Sequence, residues 1–203
     1  MSRIFLSSFI YFCISGAFPA DGEFIREGET LAIIGNTFAE DLSRYSYFET
    51  LLYENFPTRQ FRVRNLAWSG DEVGLRPRPL HFPTLEQHLL ELNADVIFLC
   101  FGLNESFQGK EGLADFKQNL DTLLTNLKNQ QFNGQTPPRL YLIGPIAYER
   151  LYEHLPEATE INREVERYDA AMMQIAEKHG IPFLELFHSF TALSEIRSEG
   201  VTR

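Results

Sequence analysis

Three short stretches of this sequence carry groups suited to acyl transfer. Gly35-Asn36-Thr37 offers a hydroxyl directly after an apolar run, Asn65-Leu66-Ala67-Trp68-Ser69-Gly70-Asp71 a turn with a glycine N–H, and Gly102-Leu103-Asn104-Glu105 a carboxamide. A hydroxyl can attack a carbonyl carbon, and positioned N–H donors can hold the oxygen on which negative charge then develops. Removing one such donor typically costs about 3 kcal/mol of transition-state stabilisation. Each stretch also has an ordinary explanation: Thr37 makes a good helix N-cap, and Gly-Xaa-Asn is a common turn. What distinguishes them is their order, one after each of three successive apolar runs.

Those runs predict the elements that must position them. Leu31 to Ile34, Phe61 to Leu66, Val96 to Phe101 and Leu140 to Ile143 read as strands, with a shorter fifth at Pro182 to Leu186. Between them, Leu42, Tyr45, Leu52 and Phe56 mark one helix; Thr84, with Gln87 completing a capping box, opens another. Phe116, Leu120, Leu123, Leu124 and Leu127 follow at helical spacing, as do Ile161, Val165, Tyr168, Met172 and Ile175 before Gly180 and Pro182. Strands that are apolar throughout, alternating with one-faced helices, describe a three-layer α/β/α domain: a flavodoxin-like, doubly wound, parallel five-stranded sheet. Ligands in such sheets bind beyond the carboxyl ends of the strands, where all three stretches fall.

The three blocks together resemble the SGNH/GDSL hydrolase family. Gly35-Asn36-Thr37 is similar to its first block, Gly-Asp-Ser; the stretch ending in Gly70 and Asp71 to its second; and Gly102-Leu103-Asn104-Glu105 to its third, Gly-Xaa-Asn-Asp. The resemblance spans the chain after its leader and implies an ester hydrolase, with deacetylation of carbohydrate among the expected reactions, needing no cofactor. It puts Thr37 in the nucleophile's place and makes the Thr37 and Gly70 N–H groups, with the Asn104 side chain, an oxyanion hole. Trp68-Ser69-Gly70-Asp71 and Arg76-Pro77-Arg78-Pro79 look most like a subgroup in multidomain proteins of planctomycete and verrucomicrobial bacteria.

Two departures stand out. Thr replaces the family's Ser, and its extra methyl crowds the attack. The family's final Asp-Xaa-Xaa-His block, which supplies the base, does not occur before the last residue, Arg203. The expectation is a domain over 24–203 truncated just ahead of that block, and inactive as such.

Other residues have bland readings beside functional ones. Trp68 lines a substrate cleft or covers the sheet edge; Arg76 and Arg78 bind a substrate carboxylate or sulfate or are solvated. Glu40 complements a helix dipole. Cys100 sits inside an apolar run and reads as buried rather than catalytic. Among the five histidines, His188 follows the fifth strand and is the one stand-in for a base, whereas His179 suits a helix C-terminus. His81, His88 and His154 lack metal-ligand spacing, and no metal site is expected.

The net charge of −10 argues against a phosphate-backbone partner. Arg3, the apolar stretch Ile4 to Ile14 and Ser15-Gly16-Ala17 predict a signal peptide over residues 1–17, too short to span a membrane, and hence a secreted or periplasmic protein. Its removal takes Cys13 away and leaves Cys100 alone, so no internal disulfide is expected. Two alternatives stand: a non-catalytic ligand- or carbohydrate-binding module on the same fold, and an FMN-binding flavodoxin-like protein, for which the first loop is poor in hydroxyls.

Overall fold

The structure, a computed structural model, describes residues 24–150, 152 and 154–192. The expected signal segment, 1–17, and the chain end at Arg203 lie outside the described residues. In chain order the elements are β1 (Thr30–Gly35), α1 (Thr37–Tyr45), α2 (Tyr47–Asn55), β2 (Arg62–Asn65), α3 (Leu85–Leu92) and β3 (Val96–Cys100). Then follow α4 (Leu103–Ser106), α5 (Leu113–Lys128), β4 (Arg139–Ile143), α6 (Ala158–His179) and β5 (Phe183–Leu184). The backbone is helical again over 187–192.

The strands form one parallel sheet in the order β2-β1-β3-β4-β5, the doubly wound arrangement expected. Alternate residues of each strand enter different cores, because successive side chains leave a strand on opposite faces. Ala32, Ile34, Ile97, Leu99, Leu140 and Leu142 pack with α3, α5 and α6. Leu31, Ile33, Val96, Phe98, Tyr141 and Ile143 pack on the other face with α1 and α2. Covered on both sides, β1 and β3 are buried along their whole length, which is why they contain almost nothing but apolar residues. Edge strand β2 buries Val63 between exposed Arg62 and Arg64. Among the described residues, no helix is long and apolar enough to cross a membrane.

Helix ends follow the sequence signals. Thr84 and Gln87 form the expected capping box, and Gly180, at φ 62°, ends α6 in the left-handed conformation. The single helix expected over Leu42 to Phe56 is instead two, broken at Ser46 (φ 54°), and Tyr45 is exposed rather than packed. Phe38 and Leu42 bury on the same core as Phe48 and Leu52. Ser46 is at once the C-cap of α1 and the N-cap of α2, and its left-handed backbone ends the helical hydrogen-bond ladder there.

Candidate active site

At the carboxyl edge of the sheet, Gly35 is registered against Cys100. The two backbones approach so closely that a Cβ on Gly35, whose φ is +148°, would stand 2.1 Å from the Cys100 carbonyl oxygen. The Asn36 N–H donates to that carbonyl over 3.2 Å, and the Asn36 side-chain oxygen accepts from the Phe38 N–H at 3.3 Å. Asn36, not Thr37, is therefore the N-cap of α1. That corrects the structural reading of Thr37: it is the first helical residue, it is exposed, and its hydroxyl has no hydrogen bond among the described residues.

The second block is tied to the first by both backbone and side chain. Leu66 N–H donates to Ile33 (2.8 Å) and Trp68 N–H to Gly35 (3.1 Å). Glu40, expected to serve only the helix dipole, accepts from the Ser69 N–H at 2.8 Å and from the Ser69 hydroxyl. These two Ser69 donors hold the Glu40 carboxyl below its usual pKa, the hydroxyl contributing most. Gly70 follows at φ +84°, exposed, with its N–H unpaired among the described residues.

The third block grips the second. Asn104 Nδ2 donates to the Asp71 carbonyl at 3.2 Å and keeps its other amide hydrogen. The buried Glu105 carboxylate accepts from the N–H groups of Gly102 (2.9 Å) and Val73 (2.8 Å), while burial pushes its pKa up. Thus the blocks carrying Thr37, Gly70 and Asn104 are joined through Gly35–Trp68, Asn36–Cys100 and Asp71–Asn104. Two of the candidate donors, the N–H of Gly70 and that of Thr37 in a first helical turn, make no hydrogen bond among the described residues.

The arginines divide. Arg78, expected to be solvated, forks onto the buried Asp71 carboxylate at 2.8 and 2.6 Å and lies 4.1 Å over the Trp68 ring. The Asp71 hydrogen bonds raise its pKa. Arg76 has no such partner: its Nη1 is buried and unpaired among the described residues, and desolvation lowers its pKa. Both guanidinium groups line a cavity of about 410 Å³ with Gly35, Trp68, Phe82 and His88. Trp68 thus faces a cleft at the edge of the sheet. On the other side of the first block, a groove of about 360 Å³ holds Thr37 at its polar rim and is otherwise walled mainly by Phe38, Leu42, Tyr47, Leu103 and Ile146.

Among the described residues, no histidine lines the groove that contains Thr37. The stand-in candidate His188 belongs to the β5 edge, three strand spacings or about 14 Å from β1. There its imidazole meets Glu185 (3.1 Å) and Glu166 (3.4 Å). His179 lies in the last turn of α6 and pairs with Asp121 at 2.7 Å. Cys100 is buried, and burial alone pushes its thiol up to about 12, which leaves it without nucleophilic thiolate at neutral pH.

The model of the GDSL-like lipase/acylhydrolase family matches residues 32–201. Among solved structures, the chain is similar to the gut microbial diltiazem-metabolizing enzyme BT4096, with 19% identity over 88% of this chain and a TM-score of 0.66. It spans 41% of that enzyme's length. A candidate GDSL-like lipase from Parabacteroides merdae is 17% identical, matching 85% of this chain and 84% of its own (TM-score 0.67). The aryl esterase of M. smegmatis is 14% identical over 84% of this chain and 99% of its own (TM-score 0.54). At these identities the likeness is one of fold. A comparison with curated protein sequences gives no match.

Proposed function

Because the chain belongs to the GDSL-like lipase/acylhydrolase family, we propose that it hydrolyses carboxylic esters of small molecules or carbohydrates, with Thr37 as nucleophile. The observation that supports this most directly is the division of labour in the first loop: Asn36 caps the helix, and the Thr37 hydroxyl is left exposed on the rim of an apolar groove. Thr37 Oγ1 attacks the ester carbonyl and gives its proton to a base. The carbonyl oxygen becomes an oxyanion that the N–H groups of Thr37 and Gly70 and the free amide hydrogen of Asn104 stabilise. The alcohol leaves with a proton, an acyl-threonine remains, and water then releases the acid.

Within this reading the acyl group lies in the groove beside Thr37, and the alcohol, a sugar or another polar group, lies toward Trp68 and Arg76. The base is the family's Asp-Xaa-Xaa-His block. The apolar segment Ile4 to Ile14 supports export, hence an extracytoplasmic substrate.

The test is hydrolysis of p-nitrophenyl esters by the protein expressed from its complete reading frame. Thr37→Ala should lower kcat/KM at least about 10³-fold, and Thr37→Ser should retain or raise it. Equal rates for the wild type and Thr37→Ala would remove Thr37 from the chemistry. A binding module on the same fold is the second reading, and Thr37 in the place of the family's Ser, with a methyl group that crowds attack, favours it. Saturable binding of an acylated sugar without turnover, by the complete protein, would select it.

A further inference from the structure

At the opposite edge of the sheet from β2, three side chains from separate segments converge: Asp169 in α6, Glu185 just after β5, and His188 in the helical stretch 187–192. We propose that these three residues bind a divalent transition-metal cation such as Zn²⁺, at a site distinct from Thr37. One donor atom from each lies within 4.8 Å of the others.

An acidic cluster alone would not carry this, since such clusters are common on surfaces. The second observation is the state of Asp169. It is only 3% exposed, and its Oδ1 has no hydrogen-bond partner among the described residues. That oxygen presses against bare backbone, for a Cβ on Gly144 would come within 2.2 Å of it. The charges facing Asp169 from the elements packed around it are Glu185, Glu166 and the imidazole of His188, with no lysine or arginine among them. A buried carboxylate oxygen with no hydrogen-bond donor, beside two further carboxylates, is costly, and a cation removes that cost.

The donor set selects the kind of ion. Two carboxylates and one imidazole fit zinc and its neighbours, whereas calcium and magnesium prefer oxygen ligands throughout. Ligands roughly 2.0–2.2 Å from zinc sit about 3.5 Å apart in a tetrahedron, so closure from the present spacing needs a movement of about 1 Å. Glu185 and His188 can supply it, because both side chains are partly exposed, whereas Asp169 is held in place. Glu166, 3.4 Å from His188 Nε2, is placed to hold the imidazole as an outer partner. The site stands apart from the ester-hydrolase reading, and its test uses no substrate.

The experiment is calorimetric titration of the tag-free, chelator-treated protein with zinc chloride, then with calcium chloride, accompanied by thermal melting. Zinc should bind at one equivalent and more tightly than calcium, and should raise Tm. Asp169→Asn and His188→Ala should each weaken zinc binding by about tenfold or more, and Asp169→Asn should abolish the rise in Tm. Asp169→Asn preserves size and removes a buried charge, so its metal-free Tm should equal or exceed that of the wild type. No saturable zinc uptake up to millimolar concentration would overturn the proposal. So would unchanged zinc affinity in Asp169→Asn, which would assign the ion to His81, His88 or His154 instead.

Discussion

The side-chain amide of Asn104 reaches the backbone carbonyl of Asp71 across 3.2 Å, while the Asp71 carboxylate is clamped by Arg78. Asn104 thereby spends one amide hydrogen on holding the Gly70 turn and keeps the other, which the proposed mechanism assigns to the oxyanion. In the proposed mechanism Asn104→Ala should lower kcat about 10²- to 10³-fold with little change in KM, since an oxyanion donor acts mainly in the transition state. Steady-state kinetics on a p-nitrophenyl ester check this. A change confined to KM would make Asn104 a binding residue.

The two glycines of the site should respond very differently to alanine. Gly35→Ala drives a methyl group to 2.1 Å from a backbone carbonyl that cannot move without opening the β1–β3 ladder, so a loss of 3 kcal/mol or more, roughly the upper range for point changes, is expected. Gly70→Ala meets nothing within 4 Å and carries only the left-handed backbone penalty, about 1–2 kcal/mol. Urea denaturation of the two variants measures the difference.

Arg76→Met should leave the fold at least as stable as it is now, because the buried Nη1 gives up no hydrogen bond among the described residues. If the substrate carries a carboxylate or sulfate on its alcohol side, the same change should raise KM for it by roughly tenfold or more, the worth of a charged hydrogen bond. Neutral esters should be unaffected. Thermal melting and paired KM measurements test the two halves separately.

Glu29 and Arg139 form a two-pronged pair (2.8 and 2.6 Å) at the end of the sheet remote from the site. Burial by itself would raise the Glu29 pKa, but the Arg139 fork and the Arg26 N–H outweigh it and leave the carboxyl below its ordinary value of 4.5. A carboxylate depressed in the folded state binds protons more weakly than in the unfolded chain. Its stabilisation is therefore complete above about pH 4.5 and is lost as pH falls through the lower folded value. Glu29→Gln should cost about 1–2 kcal/mol at pH 7 and should flatten the acid limb of the stability profile. Denaturation curves at several pH values from neutral down to strongly acid read out both effects. An identical acid limb in the variant would mean other carboxylates govern it.

Much of this architecture was legible from residue types. The fully apolar runs at Leu31 and Val96 could only belong to strands covered on both faces, and the Thr84–Gln87 and Gly180 signals set helix ends correctly. The break at Ser46 was not visible, because Phe38, Leu42, Phe48 and Leu52 would also share one face of an unbroken helix. Thr37, Gly70 and Asn104 stand out in the sequence because each follows a strand, and the structure places each after one. Glu40, Arg78 and Glu105 were given no part in holding the loops, and nothing local to them shows that Ser69, Asp71 and Val73 are their partners.

The sequence by itself determined the layers of the protein and the sheet edge that carries its three candidate blocks, because apolar periodicity and glycine-bearing turns are local properties of the chain. Only the tertiary structure decided which polar groups are engaged and which are left over. It gave the cap to Asn36 and left Thr37 exposed, paired Arg78 and orphaned Arg76, and brought Asp169 to Glu185 and His188 across 16 to 19 positions of chain. The reason is physical: whether a buried polar group is satisfied depends on neighbours supplied by packing, and spacing along the chain does not encode them.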